Sequence, residues 1–241
     1  MAIELKDALL WQKSVNAISS FISEGNFRFN DKGISFRALD PSQIVLVNYF
    51  VEKKVFDKFE IEPTYIGVDI SELAKIMNRA MLGDRLVMDV NDSEISMRLE
   101  GDLSRNFKLP LIDVSDEEVR LPETKFDARI EIPGKVLKEA LKDASLFGSS
   151  VTLRVKGSHL TIEARGTHGN LKTTADQSKK VTVKASGEIV SKYSLNFLQN
   201  IVKEADSEKI VTMELKSDAP MKVSYDIGPS KVQYFLAHMI I

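Results

Sequence analysis

The chain repeats itself at roughly half its length of 241 residues, and a duplication restricts the fold to two copies of one plan. The stretch beginning at Val68, VDISELAKIMNRAMLGDRLVM, is matched by YSLNFLQNIVKEADSEKIVT, beginning at Tyr193. Ile70, Leu73, Ile76, Met77 and Ala80 meet Leu195, Leu198, Ile201, Val202 and Ala205, each 125 residues later. After a one-residue slip, Arg85-Leu86-Val87 is set against Lys209-Ile210-Val211. Earlier in each half, Leu10, Ser14 and Ala17 face Leu137, Leu141 and Ala144 at an offset of 127. Ile34, Phe36 and Ala38 face Leu160, Ile162 and Ala164 at 126. Matches in the same order at nearly one offset argue for duplication rather than chance.

Each half begins with an amphipathic helix, Ala8 to Ile22 or Gly134 to Leu146, with apolar residues at helical spacing. Pro133 stands just ahead of the second of these, where a helix start tolerates it. Alternating strands follow, and Asn30-Asp31-Lys32-Gly33 between Phe29 and Ile34 is a hairpin signal. Gln43 to Val51 is β-branched and nearly all apolar, the pattern of a strand buried on both faces. A shorter helix comes next, Ser71 to Leu82 or Tyr193 to Ala205, and further strands close the half. Helix, strands, helix, strands, given twice, predicts an α+β fold of two similar domains with helices gathered on one side of antiparallel sheets. Residues 112–125, IDVSDEEVRLPETK, have neither period and read as a solvated connector between domains at 1–111 and 126–241.

Composition narrows the chemistry. With no cysteine, disulfides, thiolate metal sites and thiol nucleophiles are excluded. No apolar run is long enough to span a bilayer and MAIELKDALLWQKS lacks the build of a leader, so an intracellular, cytoplasmic protein is expected. Lys plus Arg is 33 and Asp plus Glu is 35, a net charge of −2 that fits neither a polycation nor an acidic disordered chain. The predicted helices nevertheless hold Lys13, Lys75, Arg79, Lys135, Lys138, Lys142 and Lys203 against only Glu72, Glu139, Asp143 and Glu204. Such a bias either attracts phosphates to one face or simply solvates it. Without a recognition helix or a row of stacking aromatics, any DNA would be held by its backbone, with no sequence preference.

Catalytic patterns are missing. His159, His168 and His238 lack metal-ligand spacing. Asp89, Asn91, Ser93 and Glu100 imitate a calcium loop, but Glu94 stands where that loop needs glycine. Asp113, Asp116, Glu117 and Glu118 sit in a connector that cannot fix two carboxyls at a set separation. Gly166-Thr167-His168-Gly169-Asn170 is followed by neither Gly-Lys-Ser/Thr nor a helix, so it is no phosphate loop. No set of nucleophile, base and orienting group emerges, and neither an enzyme nor a cofactor is expected.

Four segments carry a resemblance: GISFRALDPSQIVLV from Gly33, VDISELAKIM, the connector with Leu121-Pro122-Glu123, and DAPMKVSYDI…KVQYFLA at the end. Together they make the chain resemble, end to end, the DNA sliding clamps of the proliferating cell nuclear antigen family, above all its archaeal members. The resemblance implies a trimeric ring around double-stranded DNA, with helices lining the channel and sheets outside. Such a ring is a processivity factor that tethers DNA polymerase, flap endonuclease and ligase, after placement by a clamp loader, in replication and repair.

By the same resemblance, Lys13, Lys75, Lys142 and Lys203 match the family's channel positions, and Arg79, Lys135 and Lys138 match less directly. Subunits would join by strand addition of Arg105-Asn106-Phe107-Lys108-Leu109 to Gly169-Asn170-Leu171-Lys172-Thr173 of a neighbour, with Phe107 as the interface aromatic or an ordinary core residue. Short apolar-aromatic peptide motifs of partners would enter a pocket at Leu39, Ile44, Leu46, Val119, Leu121, Pro122, Pro220, Phe235 and Ala237. The alternative for Leu46 and Phe235 is that they are simply core. Two features depart from the pattern. His238-Met239 replaces the usual Pro and basic residue, and the net charge is mild for the family. The alternative is a subunit of a mixed ring, or a clamp-fold scaffold that does not encircle DNA alone.

Overall fold

The computed structural model describes residues 2–115 and 119–240, so Asp116, Glu117 and Glu118 lie outside the described residues. It divides into two compact units. The first comprises Met1–Pro41, Val47–Val119 and Ile227–Val232; the second comprises Ser42–Leu46, Arg120–Asp226 and Gln233–Ile241.

In the first unit the strands are β1 (Ala2–Leu5), β2 (Glu24–Asn30), β3 (Gly33–Leu39), β4 (Val45–Glu52, whose first two residues fall in the second unit), β5 (Lys58–Glu60), β6 (Thr64–Asp69), β7 (Arg85–Val90), β8 (Glu94–Glu100) and β9 (Ser104–Pro110). Its helices are α1 (Ala8–Ser19) and α2 (Ile70–Met77). One sheet runs β5-β1-β7-β8-β9, and a second ladder runs β4-β3-β2-β6. The hairpin expected at Asn30 forms. The Asn30 side-chain oxygen accepts from the N–H groups of Lys32 and Gly33 at 2.9 and 3.3 Å. Gly33 has φ +146°, and a Cβ there would lie 2.0 Å from the Val51 carbonyl oxygen, so no other residue fits.

The second unit repeats the plan with β10 (Ala128–Pro133), α3 (Gly134–Ser145), β11 (Ser150–Lys156), β12 (His159–Gly166), β13 (Gly169–Asp176), β14 (Thr182–Ala185), β15 (Ile189–Ser194), α4 (Leu195–Val202), β16 (Ile210–Leu215) and β17 (Met221–Ile227). Here the ladders are β14-β10-β16-β17 and β13-β12-β11-β15. The last strand, β18 (Ser230–Leu236), has neighbours on both sides, β17 and β4, and each unit holds its own part of that ladder.

Burial corrects two of the expected offsets. Leu86, Met88 and Val90 are buried, as are Val211, Met213 and Leu215, each 125 residues on, so the one-residue slip disappears. Trp11, Val15 and Ile18 are buried like Leu137, Leu141 and Ala144, at 126 rather than 127. Neighbouring apolar residues such as Leu10 and Ile210 imitate the true register in sequence, and only the face they turn to the core separates them. The helices also stop early. In α1 the hydroxyls of Ser19 and Ser20 take the Asn16 carbonyl at 3.2 and 2.9 Å, competing with the ladder. After α2 the N–H groups of Arg79 and Ala80 turn back to Ile76 and Met77 at 2.9 Å each, tightening the last turn. Of β4, only Val45–Val47 is buried on both faces; from Asn48 on, exposure alternates.

Within each unit the helices pair and cover a core. Asn78 accepts from Asn16 and Gln12 at 3.0 and 3.3 Å, tying α2 to α1. Trp11 rests on Phe27 with ring centres 5.6 Å apart. The buried Tyr49 hydroxyl meets those of Ser14 and Ser230 at 3.0 and 3.1 Å. In the second unit the stacked rings of Tyr225 and Tyr234 lie 6.0 Å apart, and the Tyr225 hydroxyl donates to the Ile201 carbonyl at 2.8 Å.

Candidate channel, docking and assembly surfaces

The helix cations follow from amphipathic spacing: apolar residues take the core face, and Lys13, Lys75, Lys135 and Lys142 remain exposed. Lys75 donates to Glu72 at 2.6 Å and Lys142 to Glu139 at 2.7 Å, each three residues back. Glu72 holds the Lys75 ammonium above its ordinary value, and Lys142 holds the Glu139 carboxyl below the usual range. Such solvated pairs are weak, so a phosphate can replace the carboxylate. Arg79 and Lys203 fall outside the regular helices, one beyond α2 and one at the C-cap of α4, where the helix dipole also favours a cation. Lys138 is half-buried and donates to the carbonyls of Lys203 and Ala205 at 2.9 and 2.6 Å, closing the end of α4. Lys138, Lys142 and Lys203 line one groove between α3 and α4, together with Leu141, Gln199 and Val202. Lys135 lines a different groove, so the seven cations do not form one cluster.

The proposed pocket residues divide between the units. Leu39 and Val119 belong to the first; Ile44, Leu46, Leu121, Pro122, Pro220, Phe235 and Ala237 belong to the second. Leu46 and Phe235 are only 5% and 7% exposed, which makes them core residues of this chain rather than an open apolar patch. Ile44, Leu121, Pro220 and Ala237 are half-exposed and Pro122 is exposed. The Ala237 N–H donates to the Ile44 carbonyl at 2.9 Å. Beyond it, the Met239 N–H donates to the Lys192 carbonyl at 2.7 Å, so the departure at His238-Met239 lies along β15.

Among the described strands β9 pairs only with β8, and β13 only with β12. Along β9, Arg105, Phe107 and Leu109 share one face by the period of two; along β13, Leu171, Thr173 and Ala175 do so. Phe107 and Leu171 are half-exposed, and Gly169 and Asn170 are exposed. Beside β13 an apolar groove of about 490 Å³ is lined by Val136, Ala140, Ile162, Thr173, Ala175 and Val181. Arg105 turns inward: its guanidinium pairs with the buried Asp84 carboxylate and donates to the Arg79 carbonyl at 2.5 Å.

Two family models cover the chain: the N-terminal domain of proliferating cell nuclear antigen over residues 1–117 and its C-terminal domain over residues 120–240. The chain belongs to the proliferating cell nuclear antigen family. A protein of Thermococcus gammatolerans named DNA polymerase sliding clamp is 33% identical over 224 residues, covering 91% of this chain and 90% of that one. Its namesake in Pyrococcus abyssi is 33% identical over 217 residues, 88% of this chain and 87% of that protein. One from Methanococcus vannielii is 29% identical over 237 residues, 95% of each chain. The crystal structure of the proliferating cell nuclear antigen of Thermococcus kodakaraensis superposes with a TM-score of 0.93 at 24% identity, covering 99% of both chains. That of Entamoeba histolytica gives 0.92 at 23% identity, over 99% of this chain and 98% of the other. Both share the fold, which is the α+β duplication read from the sequence.

For a proliferating cell nuclear antigen chain, the sequence reading located the cations and the edge strands but not their supports. Asp84, which holds Arg105, gave no periodic signal. Neither did Asn26 and Arg37, whose side chains reach the connector at Val114, Ser115 and Val119. Gly67, inside the strand TYIGVD, did carry a signal, since a glycine within a strand often marks the close approach of another backbone. No three His, Asp or Glu side chains among the described residues group as metal ligands, and no described helix is long and apolar enough to cross a membrane.

Proposed function

We propose that three copies of this chain close head to tail into a ring around duplex DNA, acting as a processivity clamp that catalyses nothing itself. The observation that carries this reading is a pair of open edges left by the duplication. β4 and β18 lie side by side, whereas their counterparts in the repeated plan, β13 (124 residues after β4) and β9 (126 residues before β18), each lack a neighbour on one side among the described strands. Pairing β9 of one copy with β13 of the next repeats between chains the ladder already made within one. Phe107 would then enter the groove beside β13 of the adjacent copy. Light scattering across a dilution series should give a mass near three times 27.0 kDa. A persistent monomer would overturn self-closure and make the chain a subunit of a mixed ring.

The exposed cations of the helices would contact phosphates without reading bases. Topology, not tight binding, would retain the ring, so modest contacts suffice for sliding on DNA inside the cell. Lys75→Ala with Lys142→Ala should weaken DNA association several-fold at low salt and reduce its salt dependence, leaving the assembly mass unchanged. Unchanged DNA association would count against these residues as channel cations.

Partners bearing short apolar-aromatic motifs, with DNA polymerase, clamp loader, flap endonuclease and ligase as the expected classes, would dock near Ile44, Leu121, Pro122, Pro220 and Ala237. Because Leu46 is buried, Leu46→Asp would test the fold rather than the docking. Ile44→Asp is the better probe. It should abolish binding of such a peptide while the melting temperature holds, and normal binding would move the pocket elsewhere.

A further inference from the structure

The two units copy one strand register, and the copies differ in what one sheet face offers. In the first unit Asn26 of β2 stands opposite Gly67 of β6; in the second Thr152 of β11 stands opposite Lys192 of β15. On the first unit a stretch of the chain outside every sheet takes hold at β6 and crosses onto this face. The Ile112 N–H donates to the Gly67 carbonyl at 3.0 Å, and the Asn26 amide donates to the Val114 carbonyl at 3.2 Å. A Cβ on Gly67 would stand 2.1 Å from the Ile112 carbonyl oxygen, so only glycine admits main chain this close.

In the second unit the Met239 N–H makes the matching bond, to the Lys192 carbonyl at 2.7 Å. Here, however, lysine takes the glycine's place, and its side chain helps line a concavity of about 330 Å³. Ser150, Thr152, Arg154, Glu163 and Arg165 line it as well. These residues alternate with the buried Val151, Leu153, Ile162, Ala164 and Tyr193, so they occupy the face turned away from the core.

Charge marks what the concavity fits. Arg154, Arg165 and Lys192 converge on it with Glu163, and Lys172 of β13 stands directly opposite Glu163. Glu188 accepts from Arg154 at 2.8 Å and pairs with Lys156 at 3.2 Å; such solvated pairs are weak and exchange readily. In a chain of net charge −2, this face therefore carries a local surplus of cations. A bare anion would meet the Glu163 carboxylate along with the cations. A peptide brings donors too: its N–H groups can donate to Glu163 and to the Ser150 and Thr152 hydroxyls, while acidic side chains reach Arg165 and Lys192.

We infer that this face of the second unit docks an extended acidic peptide segment of a partner protein, laid across β15, β11 and β12. Arg165 and Lys192 pair with its carboxylates, and Arg154 exchanges Glu188 for another. Glu163 favours peptide over nucleic acid, because it repels phosphates and accepts from main-chain N–H groups. The chemistry is distinct from apolar-aromatic docking near Ile44, and the site does not depend on ring closure.

The test is a titration of the full chain with fluorescein-labelled hexaglutamate, read by anisotropy at low salt. Arg165→Glu with Lys192→Glu should weaken binding roughly tenfold or more while the cooperative melt is kept. Should that charge reversal unfold the chain, Arg165→Ala with Lys192→Ala takes its place, with an expected loss of roughly three- to fivefold. Lys75→Ala with Lys142→Ala should bind the peptide as the parent does. Free glutamate at the same carboxylate concentration should not displace the peptide, and a short oligothymidylate should compete poorly. Binding unchanged in the Arg165 and Lys192 variants, or lost equally in the Lys75 and Lys142 variant, overturns the assignment. Displacement by free glutamate would reduce the face to a counterion patch, and displacement by oligothymidylate would make it a nucleic-acid surface; either result overturns peptide docking.

Discussion

β9 and β18 hold the same place in the two copies of the plan, and their sequences show how differently a covered and an open strand must be written. In β18, SKVQYFL, four of the last five residues are buried and β4 and β17 flank it. In β9, SRNFKLP, Arg105 and Lys108 interrupt the apolar alternation, Pro110 ends the strand, and Leu109 is the one buried residue. Charges and proline are what keep an exposed edge from pairing indiscriminately. Duplication thus supplied two equivalent strands, and divergence made one a core element and left the other an open edge among the described strands.

Substitutions on the two strands should break that equivalence in opposite ways. Val232→Asp places a charge at a fully buried site in β18 and is expected to unfold the chain, at about 4 kcal/mol or more, seen as loss of the cooperative melt. Phe107→Asp, on half-exposed β9, should leave the fold melting cooperatively but lower the mass in light scattering from three copies to one. A Phe107→Asp chain that stays trimeric would place the interface elsewhere.

The cores of the two units share one feature that alkali should reveal. Burial pushes Tyr49 in the first unit and Tyr193 in the second each up to about 12. A folded pKa above the unfolded value of about 10 means the stabilisation is complete below pH ~10 and is lost as pH rises through ~12. For Tyr49 that amounts to roughly 2–3 kcal/mol. Denaturant melts between pH 9 and 12 should therefore show falling stability, and Tyr49→Phe should flatten the decline.

The smallest expected contrast concerns helix starts. Asp69 caps α2 by accepting the Glu72 N–H at 2.9 Å, whereas Ser194 makes no side-chain cap bond at α4; the first N–H of each helix donates to a backbone carbonyl, Ile70 to Ser23 at 2.8 Å and Leu195 to Ser149 at 2.9 Å. Asp69→Ala should cost about 1 kcal/mol in a denaturant melt and Ser194→Ala close to nothing. Equal costs would mean the caps are interchangeable.

The sequence by itself determined the duplication, because two copies of one pattern can be laid side by side, and it determined the α+β order, the hairpin at Asn30–Gly33 and the basic bias of the helices, because these rest on residues within a few positions of one another. Phe27, Phe29, Ile34 and Phe36 announce a hairpin with no knowledge of anything distant. Tertiary structure alone decided which offset was true, since Leu86 and Ile210 are equally apolar in sequence and only one of them faces a core. It alone decided that Leu46 and Phe235 are covered, that Arg105 answers to Asp84, and that Asn26 reaches Val114. Burial and hydrogen bonding join residues tens of positions apart whose identities carry no shared period, so packing is the first place where such pairs become visible.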